Sequence, residues 1–304
     1  MARIDCDVPI VGAGPAGLTA ATYLSRFHLR TVIAHDDDSR AALIPLSRNH
    51  AGFPESIAGV DLLRRMAEQA TRYGTTIVGD RIERIERDAA EFVACGERTY
   101  RAKAVLLATG VINHRPAIDD ALHAEALAAG ALRYCPICDG FEVTDRRVGV
   151  IGTGERGMTE ALFLRSYTAD LTLVAPDGPH SLTAPQHRDL VEAGVIMIDG
   201  PARDFRLVEG GIELSSAAGV MSFASIYPAL GSTNRSELAI ALGARTESTG
   251  SIVVDAHQRT SVTGLYAAGD VVLGLDQISH AMGEGGVAAT TIRNDLAAVR
   301  PLYR

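Results

Sequence analysis

Two glycine-rich loops of one kind, Gly12-Ala13-Gly14-Pro15-Ala16-Gly17 and Gly152-Thr153-Gly154-Glu155-Arg156-Gly157, stand 140 positions apart in a chain of 304 residues. The first follows the apolar run at 8–11 and precedes a periodic apolar stretch that predicts a helix over 18–27; a strand is expected over 31–34. In that strand–loop–helix–strand order GxGxxG is more than a turn. Its glycines allow close backbone approach, and the helix N-terminus accepts a pyrophosphate. An acid at the end of the second strand takes a ribose hydroxyl: Asp36 fits, with His35 in the more usual position. The pattern restarts with a strand at 148–151, the second loop, a helix over 158–167 and a strand over 171–174. A period of this length is too long for a solenoid, and the chain is long enough for two ordinary domains. The expected fold class is α/β, with two Rossmann-like nucleotide-binding domains (three layers, a parallel sheet plus a β-meander), the second inserted into the first.

The intervening segments fit that plan. A helix is expected over 61–73, a small antiparallel meander within 75–100, and a buried parallel strand over 104–108 running into Thr109-Gly110. Pro9 is awkward in the strand at 8–11 and fits better near a strand start or edge. Residues 113–116 break the pattern, as a crossing between domains would, and 122–129 reads as a helix. Beyond the second unit come a helical stretch at 187–193, an extended one at 195–198 and a β-rich excursion over 205–223. Tyr227 to Gly231 lead into a Ser/Thr/Asn stretch that reads as the return crossing. A strand ending in Gly269-Asp270 and a last helix over 278–296 complete the chain.

Between the two loops lies Cys135-Pro136-Ile137-Cys138-Asp139-Gly140. Two cysteines three apart can close a disulfide and reopen it, and Asp139 is placed to shuttle the proton this requires. A dithiol between two nucleotide-type units suggests electrons moving between a bound cofactor and a disulfide. Zinc is disfavoured: a closed site needs about four ligands, neither a second CxxC nor an HxxxH follows, and the nine histidines are scattered. Cys6 and Cys95 read as small buried apolar residues. Composition is that of a globular protein, 47% apolar and 22% charged, with a net charge of −8 and no basic run. Nucleic acid and anionic membrane are therefore poor partners. Residues 1–7 carry charge where a secretory signal needs an apolar run, so a cytoplasmic location is expected. The longest apolar runs are strand-length and too short to span a bilayer.

The order GAGPAG, ATG, CxxCDG, GxGxxG and a late AAGD resembles the low-molecular-weight thioredoxin reductases, FAD-dependent pyridine nucleotide-disulfide oxidoreductases, over nearly the whole chain. The larger glutathione-reductase type differs, with a CxxxxC close behind the first loop and a C-terminal dimerisation domain. The resemblance implies a split FAD domain, 1–113 with 236–304, enclosing an NAD(P)H-like domain, 114–235, that carries the CxxC. It implies FAD held by Gly12, Gly14, Pro15, Ala16 and Gly17, by His35 and Asp36, and by Asn49, Thr109, Gly110, Gly269 and Asp270. Gln277 and Ile278 would lie near the flavin ring and ribityl chain. By the same carry-over Cys138 faces the flavin, Cys135 attacks the substrate disulfide and Asp139 is the general acid/base. The implied substrate is a thioredoxin-like protein or a small disulfide or dithiol, and the implied assembly a homodimer.

One departure bears on the electron donor. In NADPH-dependent members the second unit's second strand ends in a His-Arg-Arg cluster, with another arginine after it, that binds the 2′-phosphate. Here the segment is Ala175-Pro176-Asp177-Gly178-Pro179-His180, and no Lys or Arg follows until Arg188. A phosphate without those cations loses charge-assisted bonds of roughly 1.5–3 kcal/mol each. NADPH is therefore an unfavoured donor, and the chain resembles the members lacking the arginine motif. The second loop also carries bulky Glu155-Arg156, and Gly157 where alanine is usual. Three readings remain open: NADH use with Asp177 on the ribose, a lost nucleotide site fed by a ferredoxin-type donor or a second flavin, and a dithiol oxidase passing electrons to oxygen. The second is favoured over these and over an ordinary NADPH-dependent reductase. A flavin-bound redox sensor is the non-enzyme alternative, and the adjacent acid and both nucleotide units favour turnover over it.

Overall fold

The computed structural model describes residues 2–89 and 91–303. After the polar strand β1 (Ala2–Asp5), β2 (Val8–Val11) is buried at all four positions, as a strand covered on both faces must be. The first glycine loop turns the chain into α1 (Pro15–Arg26), and β3 (Thr31–His35) returns parallel to β2. α2 (Gly59–Arg72) and β4 (Thr76–Gly79) repeat the unit. β5 (Arg84–Asp88), β6 (Glu91–Cys95) and β7 (Arg98–Ala102) form the antiparallel meander, and β1 adds to it parallel to β7. β8 (Val105–Leu107) rejoins the parallel sheet and β9 (Val111–Asn113) leaves it.

The second unit follows. It begins with α3 (Asp120–Ala128) and the one-turn helix α4 (Pro136–Asp139). Then come β10 (Val148–Ile151), α5 (Gly154–Leu164), β11 (Leu171–Val174), α6 (Ala184–Glu192) and β12 (Ile196–Ile198). Three antiparallel strands, β13 (Arg203–Val208), β14 (Gly211–Ser216) and β15 (Gly219–Phe223), precede β16 (Ser225–Pro228), which pairs parallel with β10. The chain returns through β17 (Ser232–Asn234), α7 (Glu237–Ala241), β18 (Leu265–Ala267) and α8 (Ile278–Val299).

Two parallel sheets result, β18-β8-β2-β3-β4 and β12-β11-β10-β16; the first is accompanied by the mixed sheet β1-β7-β6-β5 and the second by the antiparallel sheet β13-β14-β15. Buried apolar clusters around the first draw on residues within 4–108 and 238–296, and those around the second on residues within 118–230. The outgoing and returning crossings pair with each other: β9 and β17 form an antiparallel ribbon, Asn113 opposite Ser232 and Val111 opposite Asn234. This is the two-unit α/β fold expected from the glycine loops.

Three local expectations differ from the structure. Residues 75–100 are not all meander, since β4 pairs parallel with β3 and extends the first sheet. Pro9 is the second residue of β2, near the strand's start as expected, but β2 is the middle strand of its sheet and not an edge. It is tolerated because Val8 N–H and Gly12 N–H point to the β3 side, so the missing donor of residue 9 would point to β8, where pairing begins only at Ile10. Both loop-following helices also start earlier than periodicity indicates, at Pro15 and Gly154. Glycine and proline lack the apolar signal, yet Pro15 occupies the first helical position, where its absent N–H costs nothing.

α1 and α8 approach closely because glycine faces them: a Cβ on Gly285 would stand 2.3 Å from the Ala16 carbonyl oxygen, whereas one on Gly283 of the same helix meets nothing within 4 Å. Gly285→Val is therefore expected to lower stability by about 1–3 kcal/mol through overpacking. Gly283→Ala should be neutral or raise it by up to about 1 kcal/mol through helix propensity. Thermal unfolding of the two variants checks the contrast.

Candidate active site

A cavity of about 1580 Å³ opens above the C-terminal ends of β2, β3 and β8 and reaches across to the CxxC. That exceeds the roughly 300–1,000 Å³ of an ordinary small-ligand pocket. The three glycines of the first loop serve it in different ways. Gly12 has φ +110°, and a Cβ there would lie 2.2 Å from the Ala108 carbonyl oxygen, so its freedom serves the packing of loop on strand. A Cβ on Gly17 would lie 2.1 Å from the Gly12 carbonyl; it packs helix on loop, and the cavity is lined by its neighbours Ala16 and Leu18. Gly14 faces the space itself, with only Ser39 Oγ 3.6 Å from its Cβ position. No side chain caps α1 and no acid sits in its first turn, leaving its amides directed at the cavity. This cradle fits the pyrophosphate of a dinucleotide such as FAD.

The other expected cofactor residues, Pro15, Ala16, His35, Asp36, Asn49, Thr109, Gly110, Gly269, Asp270, Gln277 and Ile278, all line the same cavity. Asp36 lies between Arg81 (3.6 Å) and Arg235 (3.7 Å), and His35 Nδ1 accepts the Asp37 N–H. Arg235 also pairs with Asp38, and its backbone ties the Thr109-Gly110 turn: Thr109 Oγ1 donates to the Arg235 carbonyl (2.6 Å), and Arg235 N–H to that of Gly110 (3.0 Å). Arg40 reaches Asp270 (2.7 Å), Asp276 (3.1 Å) and Asn113 Oδ1 (3.2 Å). Burial raises the Asp276 carboxyl above its usual range, with Arg40 opposing and Asp270 adding to the rise. The Gly269-Asp270 turn is held from below by buried Glu284, which accepts the Gly269 N–H at 2.7 Å. Arg40, Arg235 and Glu284 escaped the sequence reading because isolated charges carry no motif.

Cys135 and Cys138 form a disulfide, with Cα atoms 5.2 Å apart. Cys135 caps α4, its Sγ accepting the Cys138 N–H at 3.2 Å. Gln277 Nε2 donates to both sulfurs at 3.3 Å, and Asn49 Nδ2 donates to Gln277 Oε1 at 3.2 Å. Asp139 turns inward: Arg133 Nη1 donates to its Oδ2 (2.9 Å) and the hydroxyl of fully buried Tyr227 to its Oδ1 (3.0 Å). Burial pushes the Asp139 carboxyl above its usual range, while Arg133 and the Tyr227 hydrogen bond hold it down in part. Glu160 shares the cavity, and burial pushes it up to about 7, with Arg156 opposing and Asp139 adding. Cys6 and Cys95 are free and buried. Among the described residues no three His, Cys, Asp or Glu gather as metal ligands, and no helix is long and apolar enough to cross a membrane.

The second glycine loop is built otherwise. The segment after β11 folds back over it: Ser181 N–H donates to Thr153 Oγ1 (2.7 Å) and His180 Nδ1 lies 3.3 Å from the same hydroxyl. His180 is further held by Leu173 O (3.2 Å) and, through its N–H, by Asp199 (2.9 Å). At Gly154, the counterpart of Gly14, a Cβ would lie 3.4 Å from the Ser181 carbonyl oxygen. The loop's one cation, Arg156, lies over Gly231.

Comparison with known proteins agrees with this geometry. The chain belongs to the pyridine nucleotide-disulphide oxidoreductase family, whose model matches residues 6–285. The thioredoxin reductase of Listeria monocytogenes is 31% identical over 306 residues, covering 93% of this chain and 91% of that protein. The crystal structure of the Streptococcus pyogenes thioredoxin reductase superposes with a TM-score of 0.88 at 24% identity, covering 98% of this chain and all of that one, a likeness of fold. The atypical thioredoxin reductase TRi of Desulfovibrio vulgaris Hildenborough is 30% identical, with a TM-score of 0.55 over 97% of this chain and 99% of that one. The chain is an FAD-dependent disulfide oxidoreductase of the thioredoxin-reductase-like class.

Gly14→Val is expected to give folded protein without flavin, since its branch fills the approach to the loop, whereas Gly12→Val strikes Ala108 and impairs folding itself. Flavin absorbance per protein, read beside circular dichroism, separates the two. Tyr227→Phe removes a hydrogen bond to the ionised Asp139 carboxylate, so the Asp139 pKa should rise further. A carboxyl carbon titration of the oxidised protein checks the direction; a fall would contradict it.

Proposed function

We propose that the protein exchanges electron pairs between FAD and an external disulfide or dithiol through Cys135 and Cys138, without a nicotinamide nucleotide at the second glycine loop. The observation carrying this reading is the closure of that loop. A pyrophosphate approaching Gly154 meets the Ser181 carbonyl, an acceptor that repels it, and a 2′-phosphate meets Asp177 in place of arginine. Gly14, by contrast, opens on the cavity. NADH is disfavoured for the first reason and NADPH for both. We divide the chain accordingly into an FAD unit, 1–113 with 236–304, and an inserted unit, 114–235, which the separate cores support.

Bound FAD supplies a two-electron carrier; the cradle of Gly14 and Ala16, Asp36, the Thr109-Gly110 turn and Gly269-Asp270 would hold it. Cys135 is the thiol that meets external sulfur, because the Cys138 N–H bonded to its Sγ stabilises its thiolate. When an external dithiol is oxidised, its thiolate attacks Cys135 Sγ and the Cys135–Cys138 bond breaks, Cys138 leaving as thiolate. The second external thiolate then attacks the mixed disulfide, closing the external disulfide and releasing Cys135. The external dithiol has lost two electrons and two protons. Asp139, next in sequence to Cys138 and bonded through its carboxylate to Arg133 and Tyr227, is assigned the acid/base role. Reduction of an external disulfide is the same sequence reversed, and the named relatives make a thioredoxin-like protein one partner of suitable chemistry.

Anaerobic mixing tests the reading. Dithiothreitol should bleach the flavin at a rate that saturates with its concentration, while NADPH and NADH should be far slower. Asp177→Ala should change neither. Rapid, saturable reduction by either nucleotide at micromolar concentration would overturn the closed-loop reading.

A further inference from the structure

The cavity holds a chain of amide hydrogen bonds whose direction is set at one end. Asn49 Nδ2 lies 3.5 Å from the Ile137 carbonyl oxygen, which can only accept, and 3.2 Å from Gln277 Oε1. Ser47 Oγ lies against the opposite atom, Asn49 Oδ1, at 3.4 Å. The Asn49 NH2 therefore faces both Ile137 and Gln277, and Gln277 must present its oxygen to Asn49. That leaves Gln277 Nε2 to donate, and it does so to Cys135 Sγ and Cys138 Sγ, each at 3.3 Å, while Oε1 stands farther off, 3.6 Å from Cys138 Sγ. The sulfurs of a disulfide can only accept, which agrees with this orientation. Gln277 stands at the N-cap of α8, where a side chain ordinarily caps its own helix; it makes no such bond.

We propose that Asn49 is a positioning residue for the redox couple: by orienting the Gln277 amide, it aims a hydrogen-bond donor at the Cys135/Cys138 sulfurs and tunes their thiolate stability and reduction potential. Hydrogen bonds to a charged acceptor are roughly twice as strong as neutral ones. The donor therefore favours the thiolate formed on reduction over the disulfide. It makes the pair a stronger oxidant and lowers the pKa of the thiol it faces. Asn49 and Gln277 come from distant parts of the chain, so this donor forms only when the loop before α2 and the start of α8 meet at the CxxC.

The inference rests on Cys135 and Cys138 being the redox centre. The experiment equilibrates the holoenzyme anaerobically in dithiothreitol buffers of graded oxidation, traps free thiols by alkylation and counts them by mass. Gln277→Leu removes the donor and should make the pair a weaker oxidant by about tenfold in the equilibrium constant, about 30 mV for a two-electron couple. Asn49→Asp places a carboxylate, which can only accept, where the Asn49 NH2 stood; Gln277 must then present its Nε2 donor to it, turning Oε1 toward the sulfurs, and the variant should act at least as strongly. Asn49→Ala frees the amide and should act less. In the Gln277→Leu background Asn49→Asp should add little, which separates orientation from the direct effect of a new charge.

Equal shifts for Asn49→Asp with and without Gln277, or no shift from either residue, would overturn the relay. Failure of the native pair to equilibrate with dithiothreitol at all would instead overturn its assignment as the redox centre. Thiol pKa values, read as alkylation rate against pH in the reduced variants, should rise in the same order. A merely structural role for Asn49 would leave them unmoved.

Discussion

The site depends on holding a disulfide that belongs to one sheet against a cavity built by another. No single contact does this. The β9–β17 ribbon fixes where the chain crosses, and Gln277 and Asn49 meet the CxxC from the unit of the first glycine loop. Arg48 reaches Glu142, just beyond the CxxC, at 3.5 Å. A partly exposed ion pair of that kind is worth about 1 kcal/mol or less, and a hydrogen bond about 0.5–1.5 kcal/mol net. The placement of the sulfurs is therefore the sum of several modest links, and the same amide that helps to hold them also acts on their chemistry.

The two glycine loops show how little a motif says by itself about occupancy. Both follow a fully buried strand, open a helix, and use a glycine to pack against their own turn. They differ in what faces the second glycine: a serine hydroxyl at Gly14 and a serine carbonyl at Gly154. A hydroxyl can donate to a phosphate, and a carbonyl cannot. The difference traces to Thr153, whose side chain turns from its own helix to receive the Ser181 N–H and so draws the following segment over the loop.

The parts legible in the sequence were those with short-range causes. β2, β10 and β11 have the bounds that their apolar runs indicate, and the CxxC stands at the cavity where two nucleotide-type units led one to look. Helix starts were less legible, because the first turns of α1 and α5 are the glycine loops themselves. The partners of the site were not legible at all. Arg40 and Asp270 are 230 positions apart, and Tyr227 and Asp139 are 88 apart, and no local pattern relates them. Gly17 shows that the third glycine of such a loop also serves packing, its hydrogen side lying against the Gly12 carbonyl.

The most direct test of the account is whether electrons pass between an external dithiol and the flavin only through this disulfide. Anaerobic stopped-flow mixing of flavin-loaded Cys138→Ser protein with a dithiol isolates that step. The account predicts that the flavin stays oxidised, because Cys135 left alone is a thiol that can take no electron pair from the dithiol. Flavin reduction at the native rate in that variant would contradict it.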